Sequence, residues 1–187
     1  MLAGRRVVAL GTKELELRFT VGQGSGDERG QFRDPRGLAV SGSELYVCDR
    51  ENDRLQVFSC GASAADCKFS RVIGGEAAKL FRRPRAVAVR ADLLFVAEDG
   101  DGRGLKSELL TLSRDGTPLQ AVAFRGQISG LALSSSGKWL AATDSRENML
   151  RLCTVKAPPR SNQVAAAGGS AKAQICGGGP KQGGQRE

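Results

Sequence analysis

Apolar residues along this chain gather in short runs, β-branched or aromatic in character, separated by Gly, Ser, Asp and Asn. That pattern predicts antiparallel strands joined by turns. Aligning the chain with itself shows that the runs recur as a set. GQFRDPRGLAVSGSELYVCDRENDRLQVFS (Gly30 to Ser59) matches KLFRRPRAVAVRADLLFVAEDGDGRGLKSELLTLS (Lys79 to Ser113). GQISGLALSSSGKWLAATDSRENMLRLCTV (Gly126 to Val155) keeps the apolar pattern and loses the Phe and Pro. Phe32 aligns with Phe81, Pro35 with Pro84, and Ala39 with Ala88 and Ala132, so the steps are 49 and 44 residues. Such a period suits a four-stranded unit.

Within the units, first strands are expected at Gly37 to Val40, Ala86 to Val89 and Gly130 to Leu133, where small residues suit crowding about a common axis. Second strands follow at Glu44 to Cys48, Leu93 to Ala97 and Lys138 to Ala142, and third strands at Leu55 to Phe58, Leu109 to Leu112 and Leu150 to Val155. Outer strands are expected at Phe69 to Ile73 and Leu119 to Phe124. Arg6 to Leu10 and Leu15 to Val21 read as the third and outer strands of a preceding unit. The expected organisation is therefore a repeat domain over 1–155, with units near 30–75, 79–125 and 126–155 and N-terminal strands within 5–21. A Gly/Ala/Pro-rich tail over 156–187, with no aromatic residue, is expected to be disordered.

Composition sharpens the fold class. Glycine is 25 of 187 residues, and only seven lie in the last 32, so a turn-rich, all-β domain is favoured. Charge changes the picture less: residues 1–155 hold 23 cations and 19 anions, and the tail holds five and one, so half of the net +8 sits outside the repeats. The absence of histidine removes Ser-His-Asp and Cys-His catalysis and histidine zinc sites. Five cysteines form no CxxC pair and the N-terminus lacks a signal-peptide apolar run, so the default expectation is a reducing, cytoplasmic setting. In that setting Cys60 and Cys67 are read as thiols; in a secreted protein their loop could close a disulfide. No stretch of 18 apolar residues exists.

The entry Gly30-Gln-Phe-Arg-Asp-Pro-Arg-Gly37-Leu-Ala-Val, the turn Tyr46-Val-Cys-Asp49 and the strand Leu55-Gln-Val-Phe58 resemble the NHL repeat. Lys79 to Leu112 keeps Phe81, Pro84, Val87, Ala88, Val89, Phe95, Val96 and Ala97, with Glu98 where the family favours Asp. The resemblance covers roughly Phe19 to Val155 and implies an NHL-type β-propeller. A complete propeller has about four to eight blades, and this period supplies about three and a half, so the expectation is an incomplete arc of three to four four-stranded blades. It would be a fragment or a degenerate copy, with exposed faces and poor stability alone, and would self-associate if other copies complete the ring.

Candidate chemistry is sparse. Asp49, Glu98 and Asp144 end the three second strands and are read as structural carboxylates that accept backbone amides of the following turn. The Asp99 to Gly104 turn lacks the ligand pattern of a calcium loop, and Gly22 to Gly30 lacks that of a phosphate loop. Phe32 and Phe81 are read as wedges between blades, and Tyr46 and Trp139 as packing residues. No metal site and no cofactor are expected. Arginines concentrate in the loops that enter the first strands: Arg33 and Arg36 in one unit, Arg82, Arg83 and Arg85 in the next. The reading is a non-catalytic protein-interaction module using these residues. Resemblance also implies single-stranded RNA binding as the alternative, although a groove that binds RNA pairs cations with stacking aromatics that this sequence does not place there. Family members in ubiquitin ligases carry zinc motifs absent here, so that role would belong to a larger protein. A calcium-dependent propeller hydrolase is the least favoured reading.

Overall fold

The computed structural model describes residues 7–10, 17–61, 66–99 and 106–156. Among them are thirteen strands in four antiparallel sheets and one named 3-10 turn, Arg50–Asn52. β1 (Val7–Leu10) pairs with β2 (Leu17–Val21). The first full sheet runs β3 (Pro35–Ser41), β4 (Glu44–Asp49), β5 (Arg54–Ser59), β6 (Lys68–Gly74). The second runs β7 (Pro84–Arg90), β8 (Leu93–Glu98), β9 (Lys106–Ser113), β10 (Pro118–Arg125). The third has β11 (Ile128–Leu133), β12 (Trp139–Asp144) and β13 (Met149–Thr154). Every full strand anticipated from the repeat is present within two or three residues of its expected ends. The tail beyond Lys156 and most of the Asp99 to Gly104 turn lie outside the described residues.

Turn chemistry repeats with the strands. Gly42, Ala91 and Gly137 occupy the same place between first and second strands, each with positive φ (60°, 45° and 65°), a backbone state that suits glycine and strains Ala91. Between second and third strands the left-handed position falls on Asp53 and Asn148, which tolerate it best after glycine.

The sheets stack face to face, with a core in each joint. Tyr46, Cys48, Leu55, Val57 and Ile73 of the first sheet meet Val87, Leu94, Val96, Leu110 and Leu112 of the second. Ala86, Ala88, Phe95, Ala97 and Leu109 on the other side of the second sheet meet Ile128, Leu140 and Ala142 of the third. Val21 of β2 and Phe32 join Leu45, Val47 and Phe58 in a third cluster on the other side of the first sheet. Phe32 and Phe81 are both buried in these joints. First strands β3, β7 and β11 lie next to one another, which brings backbone against backbone. A Cβ on Gly37 would stand 2.6 Å from the Ala86 Cα and 2.7 Å from the Arg85 carbonyl oxygen, so only glycine fits there.

Two expectations are corrected. Cys60 and Cys67 are joined as a disulfide. Ser59 and Lys68 are register partners at the end of the β5–β6 ladder, so the next residue on each strand is delivered opposite the other, with Cα atoms 3.9 Å apart. The assignment to a reducing compartment loses its support from unpaired thiols. Trp139, expected to pack, is 51% exposed, because among the described residues no sheet stacks on that side of β12. No helix among the described residues is long and apolar enough to cross a membrane.

Candidate interaction surface

The end of the sheets where first strands begin and second strands finish is built on three buried carboxylates. Asp49, Glu98 and Asp144 close β4, β8 and β12, and each is less than 5% exposed. Each accepts the backbone amide of a residue in the loop entering its own sheet. Arg33 N–H donates to Asp49 Oδ1 at 2.7 Å, Arg82 N–H to Glu98 Oε2 at 2.8 Å, and Gln127 N–H to Asp144 Oδ1 at 3.0 Å. A carboxylate that receives such bonds ties an irregular loop to a regular strand. Asp144 also accepts the amides of Arg146 and Glu147 in the following turn, at 3.2 and 3.1 Å.

The side-chain partners differ among the three sheets. Arg54, opposite Asp49 on β5, donates Nε to Asp49 Oδ2 at 2.7 Å and spends its other nitrogens on the Asp27 and Glu28 carbonyls. Gln56 and Asn52 donate to the same carboxylate oxygen at 3.0 and 2.8 Å. Asp144 receives Arg151 Nε and Nη2 at 3.1 and 2.8 Å. Burial pushes the Asp144 carboxyl up, but Arg151 and the three amides outweigh it and hold the group below its ordinary range. In the middle sheet the residue opposite Glu98 is Glu108. Burial pushes Glu98 up to about 7; Arg82 opposes the shift through its amide and charge, while the Glu108 and Asp53 charges add to it.

The loop arginines are drawn into this frame. Arg50, on the 3-10 turn, donates to Asp99 at 2.8 and 3.0 Å, to Asp34 at 3.0 Å and to Glu51 at 2.7 Å, joining the first sheet to the second. Burial raises the Asp34 carboxyl, yet its bonds to Arg36 and Arg50 bring it below the usual value. Arg36 Nε lies 3.1 Å from Asp34, and Arg85 Nη1 lies 3.4 Å from Asp99. Arg83 Nη2 donates to Glu51 at 2.6 Å and its amide to Asp53 at 2.6 Å, while its buried Nε has no hydrogen-bond partner among the described residues. Arg33 keeps its side chain outward, 3.9 Å from Asp27. Exposed Arg82 forms no ion pair among the described residues. Asp34 and Arg83 share a left-handed backbone, φ 53° and 57°, each directly before a proline. That state costs a non-glycine residue about 1 kcal/mol or more, and the adjoining amide–carboxylate bonds hold it.

Three of the five arginines singled out from the sequence, Arg36, Arg83 and Arg85, are thus gathered with Arg50 into one network, and Arg33 and Arg82 flank it. Beside it, β3, β7 and β11 line a cleft of about 450 Å³ whose wall includes Arg36, Gly37, Leu38, Arg85, Ser129 and Leu131. Among the described residues no group of three His, Cys, Asp or Glu is arranged to hold a metal ion. Sequence reasoning missed Arg50 as the hub and Arg54 and Arg151 as carboxylate partners; the short Asp-to-Arg separations across each hairpin were the available signal. It also missed a cluster at the opposite end. There Glu44 accepts Arg71, Arg114 and Tyr46 Oη, the last two at 2.6 and 2.7 Å, and both guanidinium groups lie over the Tyr46 ring.

Residues 32–58 match the NHL repeat. No curated protein matches the chain. Among solved structures, Kuenenia stuttgartiensis hydrazine synthase aligns at 14% identity with a TM-score of 0.58, over 80% of this chain and 40% of that one. Myxococcus xanthus glutaminyl cyclase aligns at 15% identity and TM-score 0.51, over 73% of this chain and 52% of that one. A putative 6-phosphogluconolactonase from Bacteroides uniformis aligns at 17% identity and TM-score 0.51, over 73% and 42%. The chain therefore spans about half the length of these structures or less, and at such identities the likeness concerns the fold alone. It carries an NHL repeat on an all-β, propeller-like fold consistent with the NHL-repeat β-propeller family.

Proposed function

We propose that the chain is a non-catalytic protein-interaction module whose binding surface is the arginine-bearing loop end, with Arg33, Arg36, Arg82, Arg83 and Arg85 as its contact residues. The observation that carries this reading is the engagement of Arg36, Arg50, Arg83 and Arg85 by Asp34, Glu51 and Asp99. Guanidinium groups neutralised in this way give the loops a fixed shape with mixed charge, a surface suited to a protein partner, and leave little net field to draw a phosphate backbone. Burial of Phe32, Phe58, Phe81, Phe95, Phe124 and Tyr46 supports the same reading, since stacking platforms for bases must be exposed. Asp49, Glu98 and Asp144 act as the structural carboxylates of that surface.

The test places a photo-crosslinking amino acid at position 33 or 82, and at position 136 in the turn at the other end of the sheets. Discrete protein adducts from the first two positions and none from the third are expected. Adducts at 33 and 82 that disappear with ribonuclease would establish RNA binding instead, and equal adducts from all three positions would remove the loop end as the surface.

A further inference from the structure

Among the described residues, one face of the third sheet and the inner part of one face of the first sheet are built like the buried faces yet stay exposed. On the first sheet, Leu55 and Val57 stand opposite Cys48 and Tyr46 and are fully buried beneath the second sheet. Leu150 and Leu152 hold the same places on the third sheet, opposite Thr143 and Ala141, and each is 63% exposed beside Trp139. At the other end, Leu38 and Val40 of β3 hold the places that Val87 and Val89 hold on β7. Val87 and Val89 pack into the joint between the first and second sheets, whereas Leu38 and Val40 are 52% and 67% exposed. Neighbouring Leu45, Val47 and Phe58 on that same face are covered by Val21 and Phe32, so only its inner part is open.

Among the described residues, each chain therefore carries exposed parts of both halves of one inter-sheet joint. We infer that a second copy of this chain is the partner of these faces: Trp139, Leu150 and Leu152 of each copy seat against Leu38 and Val40 of the other. One two-fold rotation about the common axis of the first strands would satisfy all four bare faces at once, the closed arrangement that symmetry favours over an open series. Apolar faces of this kind on a monomer are otherwise a liability for association.

The test is light scattering after size exclusion on the 187-residue chain, with two variants, L38D/V40D and L150D/L152D. All four side chains are exposed, so each variant should keep the wild-type far-UV circular dichroism. The wild type is expected at twice the 19.7 kDa chain mass, and both variants at the single-chain mass. Mixing the two variants should restore a dimer, because one joint then has both faces intact. A monomeric wild type at tens of micromolar, a polydisperse series, or dissociation by L150D/L152D alone would overturn the inference, the last by revealing a like-to-like contact.

Discussion

Glu98 should make this protein less stable as pH rises through neutrality, and Glu98→Gln should abolish that dependence. The side chain is 4% exposed, faces Glu108 rather than an arginine, and is pushed from an ordinary 4.5 to about 7. Its pKa is thus higher folded than unfolded, so the native state binds the extra proton between those two values. The stability that Glu98 contributes is fully present below about 4.5 and is lost as pH climbs to about 7. At about 1.4 kcal/mol per unit, the full loss is about 3.5 kcal/mol, a large part of a small domain's total of about 5–15 kcal/mol. The window is unusually clear. The chain has no histidine, burial pushes the Cys48 thiol up, and Glu44, Asp34 and Asp144 are all held below their ordinary values. Urea titrations followed by circular dichroism at pH 5.5, 6.5 and 8 measure the effect. Wild type is expected to lose about 2 kcal/mol across the range. Glu98→Gln, whose amide oxygen can still accept from the Arg82 N–H, should be flat and more stable than wild type at pH 8 by about 1–3 kcal/mol. A wild type whose stability is constant or rises with pH, or a variant that keeps the wild-type slope, would refute the reasoning.

Three further outcomes follow from the packing. Arg114→Ala removes a latch from the second sheet onto Glu44, Tyr46 and Ser41 of the first, and should cost about 1–2 kcal/mol given its partial exposure. Because Glu44 is held at about 2, first by Arg71 and then by Tyr46 and Arg114, that contribution should be present above about pH 4.5 and fade on acidification toward 2 in thermal melts. Cys60→Ser should lower stability by about 2–3 kcal/mol, the value for closing a loop of eight residues, and reductant should shift the wild-type melt but not the variant's. Gly37→Ala drives a methyl group into the β7 backbone and should cost about 1–3 kcal/mol in chemical denaturation.

The fold was legible because its signals are local and repeated. Short β-branched runs, a 49-residue step between prolines and a glycine or short polar residue at each turn fix the strands and their antiparallel order. What could not be read depends on register and on neighbours distant in the chain. Arg114 reaches Glu44 and Tyr46 across about 70 residues, from a hairpin tip that looks like any charged turn. Arg50 becomes the hub only when β8 delivers Asp99 beside it. The Cys60–Cys67 bond needed the β5–β6 ladder to be in register to its last pair. Trp139 shows the limit from the other side, since its strand position says packing and only the stack of sheets says what it packs on. The loop arginines were found by clustering, but their pairing with Asp34, Glu51 and Asp99, which turns them from free charges into a fixed surface, belongs to the tertiary structure.

The central claim is that this loop end is a clasped frame, repeated in three of the four sheets through a buried carboxylate and a loop amide. Residue-resolved amide hydrogen exchange tests it most directly. The Arg33, Arg82 and Gln127 amides lie outside the strands, yet should exchange far more slowly than open loop amides, with Arg82 alone losing protection in Glu98→Ala. Exchange of all three at the rate of an unstructured chain would contradict the account.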